Sequence, residues 1–277
     1  MQRLLGEIEF RDAGRAAGSL LHLTQNLTEE SQARFRPLLA ACADPDSALH
    51  FLDRLCREQP AAFERLASST ASLQMAIGLF SCSRFLSEAV VVHPEWMGEL
   101  IEGGELRRPM PVEQYKERLE GTLAPEGQLV PSPLSLARFR RRQILRIVVR
   151  DILGLCTLSE TTEEISGLAD AILDVTYRRI GEDLRMRYGR PSDRGLSILS
   201  LGKLGGNELN YSSDIDLMFV YGSSGETEGP NRITNKEFYK KAANQLTGLL
   251  STYTSAGVSY RVDLRLRPDG RDRKSVV

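Results

Sequence analysis

Cysteine, histidine and tryptophan are scarce in this chain: its 277 residues include four, three and one of them. Cys42, Cys56, Cys82 and Cys156 form no CxxC pair and have no histidine cluster beside them. A zinc site or a disulfide framework is therefore not expected, small buried thiols are, and a reducing cytoplasm fits. His22, His50 and His93 stand apart from any serine or cysteine nucleophile. No triad is legible, although triads assemble in space rather than in sequence. Apolar runs such as Ala89-Val90-Val91-Val92 fall far short of the ~20 residues of a membrane span. The start, Met1-Gln2-Arg3-Leu4-Leu5-Gly6-Glu7, meets an acid too early for a secretory signal. Charge is balanced as well: 36 Lys and Arg against 37 Asp and Glu leave −1, giving no bulk attraction to nucleic acid or anionic lipid. Neither a nucleic acid nor a membrane is an expected partner.

What the chain does have is helical periodicity. Apolar residues recur at three- and four-residue spacing, as in Ala48, Phe51, Leu52 and Leu55, then Phe63 and Leu66. Asp44-Pro45-Asp46-Ser47 reads as a helix start, Gly103-Gly104 and Ala124-Pro125-Glu126-Gly127 as breaks, and Pro131-Ser132-Pro133 as the approach to a long helix from about Leu134. No constant-period repeat marks a solenoid. The long helix carries Arg138, Arg142, Arg146 and Arg150 as a stripe, with Arg140 and Arg141 off it and Leu136, Ile144, Ile147 and Val148 available for burial. The stripe predicts a solvated or interdomain face with partners such as Asp151, or else a contact to an anion.

Near residue 195 the period changes. Leu196–Leu201 and Asp214–Tyr221 read as strands, the second apolar enough on both faces to be central. Asn235 is expected to cap a helix with core face Phe238, Ala242, Leu246, Leu249 and Tyr253. Ser259–Arg267 is a third strand, ended by Pro268. Only residues 203–213 separate the first two strands, too few for a crossover with a full helix, so a Rossmann arrangement is disfavoured and a turn with a helical turn or two is expected.

Chemistry concentrates in this second region. Strand alternation puts Asp214 and Asp216 on one side and Ile215 and Leu217 on the other. Two such carboxylates repel unless a cation compensates, and hard oxygen pairs of this kind suit Mg²⁺. The same alternation puts Asp263, Arg265 and Arg267 on one face of the third strand. Directly after the first strand comes Gly202-Lys203-Leu204-Gly205-Gly206, whose glycines allow amides to approach an anion while Lys203 adds charge. It is neither a Walker A loop nor a G-x-G-x-x-G turn. Three acids, two arginines and a glycine turn suit metal-assisted chemistry at phosphorus.

The order strand, G-x-x-G-G, short connection, Asp-x-Asp strand, helix and Asp-bearing strand resembles the nucleotidyltransferase fold related to polymerase beta, except that Lys203 stands where Gly or Ser is usual. The run Gly202–Leu217 and the run Tyr260–Pro268 are similar to the two signatures of the bacterial glutamine synthetase adenylyltransferase/adenylyl-removing family, and Arg138–Arg146, Asp151–Gly154 and Leu168–Asp170 are similar to its helical part. The resemblance implies an α+β chain: an all-helical region over 1–190, then a polymerase-beta-like nucleotidyltransferase sheet domain over 191–271, incomplete at its C-terminal end. Leu209-Asn210-Tyr211-Ser212-Ser213-Asp214, the long helical lead and the start at Met1 resemble the N-terminal, adenylyl-removing half.

Carried over, the resemblance implies Mg²⁺ on Asp214, Asp216 and Asp263, with Gly202, Lys203, Gly205, Gly206, Ser213, Arg265 and Arg267 around phosphate or nucleotide. Its implied substrate is an adenylylated tyrosine of glutamine synthetase, attacked by phosphate to release ADP, with the PII regulatory protein as a further partner. The alternatives are the ATP-using attaching half, a uridylyltransferase-like enzyme, or a non-catalytic module that binds glutamine synthetase or PII. The family continues beyond the Arg-Leu-Arg-Pro run, so a C-terminal truncation is expected. The last six residues, Asp272–Val277, are what GAT CGG AAG AGC GTC GTG encodes, a match to a common sequencing adapter. They are expected to be a non-native tail, and a truncated chain to be poorly active.

Overall fold

The computed structural model describes residues 8–124, 129–193 and 195–264. Packing groups the chain into two compact units, residues 1–108 with 145–157, and residues 109–144 with 158–277. This differs from a division near residue 190, because a sheet with one apolar face needs helices against it and takes them from earlier in the chain.

The first unit contains α1 (Ala13–Gln25), α2 (Glu29–Ala40), α3 (Pro45–Glu58), α4 (Pro60–Ala67), α5 (Thr70–Cys82), α6 (Arg84–Val92) and α7 (Glu95–Glu102). Helix α3 opens as its sequence suggests, with Asp44 accepting the Ser47 N–H at 3.0 Å and Pro45 in the first turn. Ala48, Phe51, Leu52 and Leu55 are buried, as are Phe63 and Leu66 of α4. The four cysteines are free thiols; of them only Cys56 is buried and Cys82 is exposed. Burial pushes the Cys42 and Cys56 thiols up, so they stay protonated.

Helix α9 (Pro133–Ile152) begins in the second unit and ends in the first. Its arginine stripe meets the expectation of a solvated face only in part. Arg138 and Arg142 are exposed, but Arg146 and Arg150 are buried. Arg146 donates to the carbonyls of Glu105 (3.1 Å) and Arg108 (2.6 Å), and Arg150 to that of Leu106 (3.1 Å). The segment after Gly103 leaves the helix, so its carbonyls need donors, and two guanidinium forks supply them.

The second unit contains α8 (Val112–Leu123), the start of α9, α10 (Leu158–Tyr188), β1 (Arg190–Pro191), β2 (Leu196–Leu201), α11 (Gly202–Gly205), β3 (Ile215–Tyr221), β4 (Thr227–Glu228), α12 (Asn235–Ser251) and β5 (Val262–Asp263). Strand β3 is central in the order β2-β3-β5, antiparallel to β2 and parallel to β5, while β1 and β4 form a separate two-stranded ribbon. Ile215, Leu217 and Phe219 are buried on one face of β3, and α12 packs against both β3 and α10.

Two sequence expectations for α12 need correction. Its N-cap is Thr234, which shares a capping box with Glu237; Asn235 lies one residue inside and is buried. The Asn235 amide instead accepts from the Ser192 N–H (3.3 Å) and donates to the Ser223 carbonyl (3.2 Å), tying the sheet's lead-in to its exit. Phe238, Ala242 and Leu246 are buried as the periodicity predicts, but Leu250 rather than Leu249 completes the face. Tyr253 lies beyond the helix and is 83% exposed.

Candidate active site

The connection from β2 to β3 is built from backbone constraints. Gly202 ends β2 at φ +56°, and a Cβ there would fall against the Asp216 carboxylate, well inside contact distance. Gly205 is constrained by space, since its Cβ would stand 2.5 Å from the Ser200 carbonyl oxygen. The single turn of α11 follows, and Asn207 at φ +57° reverses the chain. Leu209 is buried and donates its N–H to Ser166 Oγ of α10 at 3.1 Å. Asn210 then forms a side-chain turn, its Oδ1 accepting from the Ser212 N–H (3.1 Å) and the Ser213 hydroxyl (2.7 Å). Arg140 of α9 donates to the Tyr211 carbonyl at 3.2 Å and lies 4.6 Å from the ring centroid of buried Tyr260. Burial pushes the Tyr260 phenol up, so it is neutral.

This loop delivers the acids. Asp216 is the register partner of Leu201 on β2 and of Asp263 on β5. In-register parallel positions point to the same side, so Asp216 and Asp263 are neighbours on the face opposite Ile215 and Leu217. One pleat earlier, Ile215 donates its N–H to the Arg261 carbonyl at 2.9 Å, which sets Arg261 beside Asp214. The Arg261 guanidinium pairs with Asp214 Oδ1 and donates to the Ser212 carbonyl at 2.9 Å.

The other expected residues are distributed unevenly. Lys203, Gly205 and Gly206 are exposed on the turn beside the acids. The Gly206 N–H differs from the expected phosphate donor: it is bonded to the Gly202 carbonyl at 3.1 Å. In a one-turn helix the amides without an internal acceptor are those of its first turn, here Gly202, Lys203 and Leu204. The Ser213 hydroxyl is committed to Asn210 rather than presented outward. Arg265, Arg267 and Asp272–Val277 lie outside the described residues. The sequence reading gave Arg261, Arg140 and Ser166 no place in the site; the signals were the shared face of Arg261 with Asp263 and the arginine-rich run around Arg140.

Three carboxylates on one edge of a sheet are the hard oxygen donors that Mg²⁺ takes. The cradle also fits, because Gly202 leaves open the space a side chain would fill against Asp216. With Asp214 turned to Arg261, however, no group of three or more His, Cys, Asp or Glu side chains among the described residues is disposed to hold an ion. Among the described residues no helix is long and apolar enough to cross a membrane.

Comparison with known proteins bears on the same region. The family model described as glutamate-ammonia ligase adenylyltransferase matches residues 73–277. The bifunctional glutamine synthetase adenylyltransferase/adenylyl-removing enzyme of Thioalkalivibrio sulfidiphilus (strain HL-EbGR7) is 31% identical over 297 aligned positions, covering 97% of this chain. The chain spans 31% of that relative's length. The helices leading into a small mixed sheet, the acid-bearing strands and a family match across most of the sequence agree: this chain belongs to the glutamate-ammonia ligase adenylyltransferase family.

Proposed function

We propose that this chain is the adenylyl-removing part of a glutamine synthetase adenylyltransferase, acting by Mg²⁺-dependent phosphorolysis in the cytoplasm. The observation that carries the reading is the register pairing of Asp216 with Asp263 beside Asp214, under the Gly202 turn. Membership in the family supports nucleotidyl transfer; the run Asn210-Tyr211-Ser212-Ser213 before the acids supports the removing over the attaching direction.

Asp214, Asp216 and Asp263 would hold the metal, which supplies charge neutralisation and polarisation at the phosphorus. The protein's own residues do the rest. The turn excludes side-chain bulk from the acids, and exposed Lys203 offers a cation to phosphate oxygens. Arg265 and Arg267 would add charge for the phosphate oxygens. An oxygen of inorganic phosphate forms a bond to the phosphorus of the adenylyl group, and the bond from that phosphorus to the tyrosine oxygen breaks. The products are ADP and the free tyrosine, whose oxygen gains a proton. Alignment and electrostatics carry catalysis, with no covalent enzyme intermediate. Glutamine synthetase is the protein substrate of this reading, and PII its regulatory partner.

The test uses the full-length enzyme with adenylylated glutamine synthetase and phosphate, with ADP as readout. Asp214→Asn should lower ADP release by about two orders of magnitude or more while circular dichroism is unchanged. Undiminished release by that variant would end the assignment. AMP transfer from ATP to unmodified glutamine synthetase, without phosphorolysis, would favour the attaching half instead.

A further inference from the structure

We propose that Arg261 is an exchangeable counter-ion for the acid site, holding Asp214 until a divalent cation takes its place. The inference rests on the reading of Asp214, Asp216 and Asp263 as metal ligands. Parallel register sets two rows across β3 and β5: Asp214 beside Arg261, then Asp216 beside Asp263. The second row brings two negative charges together, and the first pairs a negative with a positive. Arg261 is thus a cation that the strand pairing sets beside Asp214, and its alternation keeps it on the side of Asp263.

Its geometry is that of a clamp. The guanidinium Nε donates to Asp214 Oδ1 and its Nη2 to the Ser212 carbonyl, so the arginine holds both the acid and the loop that delivers it. The Asn210 turn fixes Ser212 from the other side. A cation coordinated by Asp214 and the guanidinium compete for the same carboxylate. A fixed positive charge so close would also repel a divalent ion. Both effects have one sign: Arg261 weakens metal binding. Once displaced, the guanidinium remains tethered at the rim of the acid face, about one pleat from Asp263, where an incoming phosphate would meet it.

Because Arg261 and Asp214 are 65% and 49% exposed, the pair is a modest competitor. The experiment is Mn²⁺ binding by calorimetry to the 277-residue chain, with Mn²⁺ alone as the probe. Arg261→Gln is expected to tighten Mn²⁺ binding about three- to tenfold. Arg261→Lys, which keeps the charge, should stay within about twofold of the parent. Asp216→Asn reports on the site itself and should abolish the binding in every background. Unchanged or weaker binding by Arg261→Gln, with the Asp216→Asn loss intact, would overturn the counter-ion role while leaving the metal site standing. Binding indifferent to Asp216→Asn would instead overturn the metal site, and the inference with it. Thermal unfolding of each variant separates a loss of fold from a loss of ligand.

Discussion

Gly202 offers the most direct test of how the backbone shapes the acid site, because two separable penalties meet there. At φ +56° an alanine suffers the left-handed strain of an L-residue, about 1 kcal/mol or somewhat more. Its Cβ would also strike the Asp216 carboxylate, which must leave its rotamer at a further ~0.5–1.5 kcal/mol. Gly202→Ala should therefore cost about 2 kcal/mol. Two other glycines isolate the components. Gly104 has φ +63° and nothing within 4 Å of an added Cβ, so Gly104→Ala carries strain alone, about 1 kcal/mol. Gly205 has no positive φ, but its Cβ would lie 2.5 Å from the Ser200 carbonyl, a backbone atom held in β2, so Gly205→Ala carries the clash alone at ~1–3 kcal/mol.

Urea unfolding followed by circular dichroism gives the three stabilities, read at a common slope. Calorimetry with Mn²⁺ gives the second readout. Gly202→Ala should weaken Mn²⁺ binding because it displaces Asp216, whereas Gly104→Ala should not. If Gly202→Ala matches Gly104→Ala in both stability and Mn²⁺ affinity, the close approach of turn to carboxylate is not what demands glycine here.

Two predictions concern the scaffold, alongside those already given for Asp214 and Arg261. Asp193 accepts from the amides of Gly195, Gly222 and Ser223 and from the Tyr239 hydroxyl, joining the start of β2 to the end of β3. Burial raises its pKa, but these hydrogen bonds outweigh that and hold the carboxyl below its usual range. A depressed folded pKa stabilises above the unfolded value of about 4 and is lost as pH falls through the folded one. Asp193→Asn should therefore cost ~1–3 kcal/mol at pH 7, with the gap to the parent shrinking below about pH 4 in acid unfolding curves. Arg146→Met should destabilise the helical unit by ~1–3 kcal/mol in the same urea assay, because the carbonyls of Glu105 and Arg108 lose a charged donor from a buried arginine; a loss under 0.5 kcal/mol would show that water replaces it.

Local signals were the legible part. The Asp44-Pro45 helix start, the strands flanking Gly202 and the central place of β3 follow from capping chemistry and hydrophobic period, which act over a few residues and can be read in one dimension. That Asp216 faces away from Ile215 and Leu217 was legible for the same reason, since alternation within a strand sets the side. Tertiary structure decided the rest. A cap is chosen by chain direction at the helix start, so Thr234 with Glu237 displaced Asn235, whose amide was needed to bridge Ser192 and Ser223. The arginine stripe of α9 looked solvated because four-residue spacing says only that side chains share a face. What faces them, the open carbonyls of Glu105, Leu106 and Arg108, is set by packing across some forty residues. Likewise the partner of Asp214 depends on the register of β3 with β5. Composition and period determined which residues were chemically capable; pairing between distant segments decided which of them meet, because a hydrogen-bonded register fixes neighbours that no single segment specifies.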